Sequence, residues 1–184
     1  KTVYAQFKNG AGITSTTYSD TIILASSVGS ITVTVKDSAR KPIQDAGIYL
    51  DGNYIGSTDA TGKLAFQVVP TGSHTVKATK EGYNDASKSV TISKGTNTNV
   101  AITMSVKTYT ITIYVKDSAG KAVSSATVYL DGSRKGTTDR TGKLTIRSVV
   151  YGQHTILVRK SGYIDYSTTT YVTLNVVLNV VLKK

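Results

Sequence analysis

The sequence predicts an all-β protein: two tandem seven-stranded β-sandwich domains behind an N-terminal β-hairpin. Three observations carry this reading. The stretch "IYLDGNYIGSTDATGKL" at Ile48–Leu64 returns as "VYLDGSRKGTTDRTGKL" at Val128–Leu144, 80 residues later. Apolar residues alternate with polar ones at period two, as half-buried strands require. Turn-forming clusters recur about every 8–12 residues, the spacing of a sandwich.

In chain order, "KTVYAQFKNGAGITSTTYSDTIIL" comes first and fits neither copy of the repeat. It reads as a strand, a Gly-rich turn at Asn9–Gly12 and a second strand, so residues 1–27 are assigned to the hairpin. A lone hairpin is marginal in water and needs a sheet to join. Residues 1–27 are therefore expected to be the C-terminal hairpin of an incomplete upstream domain. The alternative is a hairpin that adds to the sheet edge of a neighbouring molecule.

The first sandwich is expected over 28–105 and the second over 106–184. "ITVTVKDSARKPIQDAGIYLDG" aligns without gaps on "ITIYVKDSAGKAVSSATVYLDG", and about 31 of 74 positions agree across the whole repeat. A unit of this size exceeds a solenoid period and suits a small autonomous domain. Ile31, Val33 and Val35 should point inward from the first strand. So should Leu64, Phe66 and Val68, then Val76 and Ala78, and finally Val100, Ile102 and Met104. All the strands are expected to be antiparallel.

Composition narrows the function. Strand formers are abundant, Pro is scarce and Trp and Cys are absent, which excludes disulfides and Cys-based zinc sites. No apolar run is long enough to span a membrane as a helix. The first residue is Lys1 with no leader sequence, as in a processed or partial chain. The net charge of +11 is uneven: residues 31–104 carry +2 and residues 111–184 carry +7.

The shared motifs read as turn grammar. Asp51-Gly52 and Asp131-Gly132 suit two-residue hairpin turns. Asp51, Asn53 and Asp59 lack the bidentate carboxylate of a tight calcium site. "TDATGKL" has the wrong spacing for a phosphate loop and leads into a strand. His74 and His154 occur singly, with no metal set and no evident nucleophile or orienting acid, and are read as structural. Gly82-Tyr83 and Gly162-Tyr163 are read as packing anchors at a bend. No catalytic, cofactor-binding or metal residues are assigned, and no cofactor is expected.

Two resemblances sit on these residues. "VYLDGSRKG-T" with "GQHTILVRKSGY" resembles the PEGA repeat of prokaryotic surface proteins. "V-KDSAGKAVSSATVYLDG…TDRTGKLTI" resembles carboxypeptidase regulatory-like, transthyretin-like modules. PEGA repeats place a Pro soon after the G-x-T, where this chain has Thr58-Asp59 and Thr138-Asp139. The opening hairpin resembles the last strands of Ig-like surface modules. These resemblances imply Ig-like/transthyretin-like sandwiches, an extracellular, cell-surface location, and a non-catalytic structural role in a stalk, adhesin, S-layer or filament. The partners they imply are other surface-protein domains or copies of the chain itself.

The copies diverge most where their charge differs. Arg134, Lys135, Arg140, Lys143 and Arg147 in the second copy stand against Tyr54, Ile55, Ala60, Lys63 and Gln67 in the first. The cations are read as crowding one hairpin and its partner strand, and Tyr54-Ile55 as an exposed apolar pair. A solvated basic surface is the plain explanation. The functional alternative is contact with anionic polysaccharide or cell-wall polymer, either as a binding module or as an appendage of a secreted enzyme. Nucleic acid is not expected, because no aromatic platform is interleaved with the cations.

Overall fold

The structure, a computed structural model, describes residues 2–21 and 27–184. The fold is all-β, and no helix among these residues is long and apolar enough to cross a membrane. Strands β1 (Thr2–Ala5) and β2 (Tyr18–Thr21) pair antiparallel, Ala5 against Tyr18, as a two-stranded sheet of their own. The Asn9 side chain accepts the amides of Ala11 and Ile13 and so holds the intervening turn. Ile22–Leu24, read as the continuation of the second strand, lie outside the described residues.

The first repeat supplies seven strands: β3 (Val28–Asp37), β4 (Gly47–Leu50), β5 (Asn53–Ser57), β6 (Lys63–Pro70), β7 (Gly72–Thr79), β8 (Ala86–Ile92) and β9 (Asn97–Met104). They form a four-stranded sheet ordered β5-β4-β7-β8 and a three-stranded sheet ordered β6-β3-β9. The second repeat supplies β10 (Thr108–Asp117), β11 (Thr127–Leu130), β12 (Ser133–Thr137), β13 (Lys143–Val150), β14 (Gly152–Arg159), β15 (Tyr166–Val172) and β16 (Val176–Leu182), in the same two orders. Each pair of sheets closes over one apolar core. The first is built from Ile31, Val33, Val35, Ile48, Val76 and Ile102 among others, and the second from Ile111, Ile113, Val115, Val128, Ile156 and Val180. The period-two pattern predicts these positions because alternate side chains of a strand face one side of its sheet.

Three expectations need correction. The sheets are not wholly antiparallel: β3 runs parallel to β9 and β10 parallel to β16. Alternation shows which residues share a face, and it does not show strand direction.

Val68 does not enter the core. It is 69% exposed with φ 63°, and Val69 is buried in its place. The β3–β6 register shifts between Gly29 and Ile31, so a β-bulge reverses the facing of the strand beyond Phe66. Ser148 sits at the matching bulge in β13 with φ 56°.

The alignment is not gapless to the end. Val33 pairs with Val100, whereas Ile113 pairs with Leu178, so the last strands are offset by 78 residues and not 80. Gly29 is linked to this difference. A Cβ there would lie 2.6 Å from the Ser93 carbonyl and 2.8 Å from that of Thr96, so the turn before β9 leaves room only for glycine. The second repeat has the shorter turn, and Tyr109, at the position of Gly29, packs against the core.

Candidate functional site

The hairpin that recurs between the repeats is built as its sequence predicts. Asp51 and Gly52 take φ of 50° and 85°, Asp131 and Gly132 take 51° and 76°, and Leu50 pairs directly with Asn53 as Leu130 does with Ser133. Both central residues at positive φ make this a two-residue hairpin turn whose twist matches the strands. The second reversal is held by Asp59, whose carboxylate accepts the amides of Thr61 and Lys63 and the Thr61 hydroxyl. Asp139 does the same with Thr141 and Lys143.

The two residues that differ most straddle a bulge. Ile48 pairs with Gly56 but Tyr49 pairs with Tyr54, so Ile55 is the extra residue, and Lys135 is its counterpart. Tyr54 stays on the outer face, 60% exposed and edge-on to Tyr49 with ring centroids 5.5 Å apart. Ile55 turns inward and packs against the first core. The exposed apolar pair is therefore split, because the bulge sends the two side chains different ways.

The five cations are also arranged differently from the sequence reading. Arg134 and Lys135 lie on β12, an edge of the four-stranded sheet, and Lys143 and Arg147 on β13, an edge of the three-stranded sheet. Arg140 is in the turn between them. β12 and β13 are not paired; each is the edge of its own sheet, so the cations follow one flank of the sandwich. Lys143 lies 5.8 Å from the centre of the Tyr114 ring, and Arg134, Lys135, Arg140 and Arg147 are exposed.

His74 and His154 do have an acid in reach, and it is the turn aspartate. Nδ1 of His154 is 2.7 Å from Asp131 Oδ2, and Nε2 is 2.8 Å from the Val150 carbonyl. Nδ1 of His74 is 2.6 Å from Asp51 Oδ2, with Nε2 2.9 Å from the Pro70 carbonyl. A carboxylate and a carbonyl both accept, so this geometry favours the imidazolium form, in which each ring donates to both. The other oxygen of each aspartate accepts the amide of Thr75 or Thr155. For His74 the Asp51 hydrogen bond raises the proton affinity. For His154 burial opposes the charge, but the bonds to Asp131 and Val150 outweigh it and the shift is still upward. With both nitrogens hydrogen-bonded within the fold, these rings clamp two turns. Their signal in the sequence was that Asp and His recur together, 23 residues apart, in both copies.

A second clamp is a threonine. Thr58 and Thr138 are buried; each hydroxyl donates to the carbonyl of Ile43 or Val123 and accepts the amide of Ala46 or Ala126.

The repeats meet at a joint that single residues define. A Cβ on Gly82 would lie 2.8 Å from Cδ1 of Tyr151, so the ring rests against bare backbone. The Tyr151 hydroxyl donates to Glu81 at 2.5 Å, and its ring meets Tyr171 edge-on at 5.5 Å. The linker is bonded on both sides. Asn84 donates to the Ser105 carbonyl, Lys107 donates to that of Gly82, and Tyr151 donates to that of Lys107. The bend read as a packing anchor thus has a second partner, while Tyr83 and Tyr163 pack against their own cores. Sequence reasoning missed Tyr151; the available signal was an aromatic where the first copy has Thr71.

Residues 30–105 match the carboxypeptidase regulatory-like domain. Residues 122–184 match the PEGA domain. The tandem expected from the motifs is therefore present, with one family on each repeat. No curated protein matches the sequence. Among solved structures, the Bacillus anthracis TIE protein is similar in fold, with a TM-score of 0.69 at 18% identity over 100% of this chain. This chain spans 42% of that protein's length. A streptococcal ancillary pilin aligns over 87% of this chain and 63% of its own, at 14% identity and a TM-score of 0.43. A minor pilin of Streptococcus agalactiae aligns over 85% and 97%, at 14% identity and a TM-score of 0.38.

Proposed function

We propose that this chain is a rigid, non-catalytic spacer within a cell-surface protein, with residues 28–105 and 106–184 as separate folding domains. One observation carries the reading: the first and last strands of each repeat are parallel neighbours. The chain therefore enters a repeat at one end of the sandwich and leaves at the other, which suits domains strung in line. The joint at Gly82 and Tyr151 supports it, because ring packing and a bonded linker oppose bending. A location outside the cell agrees with the PEGA and regulatory-like matches, and a role as stalk or filament segment agrees with the threading.

The test is small-angle scattering of the purified chain together with antibody labelling of intact source cells. A rod whose length equals two repeats, and labelling without permeabilisation, are expected. A compact particle, or labelling only after permeabilisation, would overturn the reading.

A second role is proposed for the flank bearing Arg134, Lys135, Arg140, Lys143 and Arg147: contact with an anionic polymer. The four ion pairs among the described residues join His74–Asp51, Lys77–Asp85, His154–Asp131 and Arg159–Asp165, and use none of these five cations. Salt-sensitive retention of the chain on an anionic polysaccharide column tests this role.

A further inference from the structure

The second repeat repeats the backbone bend that seats Tyr151 on the first. The bend Lys80-Glu81-Gly82-Tyr83 corresponds to Lys160-Ser161-Gly162-Tyr163. Gly82 and Gly162 have nearly the same φ, 81° and 82°, but a Cβ on Gly162 would meet nothing within 4 Å. Beside it lies an open cleft of about 440 Å³, lined by Thr127, Arg159, Lys160, Gly162 and Asp165, the counterpart of the larger cleft that Tyr151 and Tyr171 help to line in the first repeat.

The chain approaches this cleft just as the linker approaches the first seat. Asp37 pairs with Met104 and Asp117 with Leu182, so Lys183 stands where Ser105 stands. Ile164 donates to the Lys183 carbonyl as Asn84 donates to that of Ser105. The first bond of the linker ladder is thus already made. The Gly162 carbonyl is positioned to accept the next one, as the Gly82 carbonyl accepts from Lys107.

We propose that the backbone at Gly162 is a docking seat for an aromatic side chain presented by a following β-sandwich repeat, on the turn that carries Tyr151 in this one, with the cleft beside it walled by that ring as the first repeat's is. The occupant is an aromatic residue because that is what the equivalent glycine holds within this chain. The ring carries the recognition, since Ser161 replaces the Glu81 carboxylate that receives the Tyr151 hydroxyl. This rests on the rod reading above and adds a site to it.

The test extends the full chain after Lys184 with a second copy of residues 107–184, so that Lys183 and Lys184 serve as Ser105 and Val106 do. The chain has no cysteine, so spin labels go only where cysteines are placed. Asn53→Cys with Ser133→Cys reports the first joint. Ser133→Cys in the second repeat and in the appended copy reports the new one. The two distance distributions should agree in mean and width. Tyr151→Ala in the appended copy should abolish the narrow peak of the second while leaving the first unchanged. Gly162→Ala should do the same, but a side chain at that φ is strained, so the tyrosine variant decides. A narrow first and broad second distribution, or a narrow second peak that survives the tyrosine variant, overturns the proposal. Two broad distributions overturn it together with the rod reading.

Discussion

His154 and Asp131 join two turns at one end of the second sandwich, with Nδ1 and Oδ2 2.7 Å apart. The ring is almost enclosed, and Asp131 is half exposed. The pair makes folding depend on pH from both sides. The proton affinity of His154 lies above the ordinary value of 6.5, so its contribution is complete below that value and is lost as pH rises through the folded value. Asp131 lies below the ordinary 3.8, even though burial pushes the other way, because the bonds from His154 and Thr155 prevail. Its contribution is present above 3.8 and is lost as pH falls through the folded value. Thermal midpoints should therefore form a plateau between these limits and decline on the alkaline side. Asp131→Asn should lower the plateau and flatten that decline, as read by melting curves across pH.

Thr138→Val should destabilise the second repeat although it keeps size and branching. It leaves the Ala126 amide and the Val123 carbonyl buried without a partner, at about 1–3 kcal/mol for each group. Thr138→Ser should retain most of the stability. Equal denaturant midpoints for the Val and Ser variants would refute the clamp.

Val68→Asn should stabilise the first repeat. Val68 is β-branched, exposed and held at φ 63°, where such residues are rarely found, and asparagine tolerates that region better. The expected gain is about 1 kcal/mol, the lower end of what such backbone strain costs. Denaturant unfolding measures it, and a loss of stability would show that the valine side chain contributes contacts that outweigh the strain.

Gly29→Ala and Tyr109→Ala probe equivalent positions with opposite chemistry. The first forces a methyl group against two carbonyls, and the second removes a half-buried ring from the edge of the core, at about 1–2 kcal/mol. Each should lower one of two unfolding transitions and spare the other. A common shift of a single transition would show that the repeats unfold as one unit.

Arg134→Ala with Lys135→Ala should leave the melting temperature unchanged, because both side chains are exposed and neither is in an ion pair among the described residues. The same variant should elute from an anionic polysaccharide column at lower salt than the parent. Unchanged elution would remove the anionic-polymer role.

Much of this fold was legible because local chemistry dictates it. The alternation of Ile31, Val33 and Val35 and the Asp-Gly turns both have direct physical causes in the sequence. What was not legible depends on the third dimension. A bulge reverses facing without altering composition, so alternation alone puts Val68 inward and Ile55 on the surface beside Tyr54. The parallel pairing of β3 with β9 joins strands far apart in sequence, and nothing local signals it. The Asp131–His154 pair looked like a turn residue and a lone histidine until the fold brought them together. Tyr151 was one aromatic among twelve tyrosines until Gly82 gave it a seat.

The parallel pairing has a mechanical consequence. When the chain is pulled at both ends, β3 and β9 are drawn in opposite directions along their shared edge. The bonds from Ser30–Asn97 to Asp37–Met104 then carry the load together and do not open one after another, as a hairpin's would under a peeling force. The same holds from Ile111–Val176 to Asp117–Leu182. Each sandwich is thus a clasp loaded in shear, and a tether built from such units resists tension with its longest register.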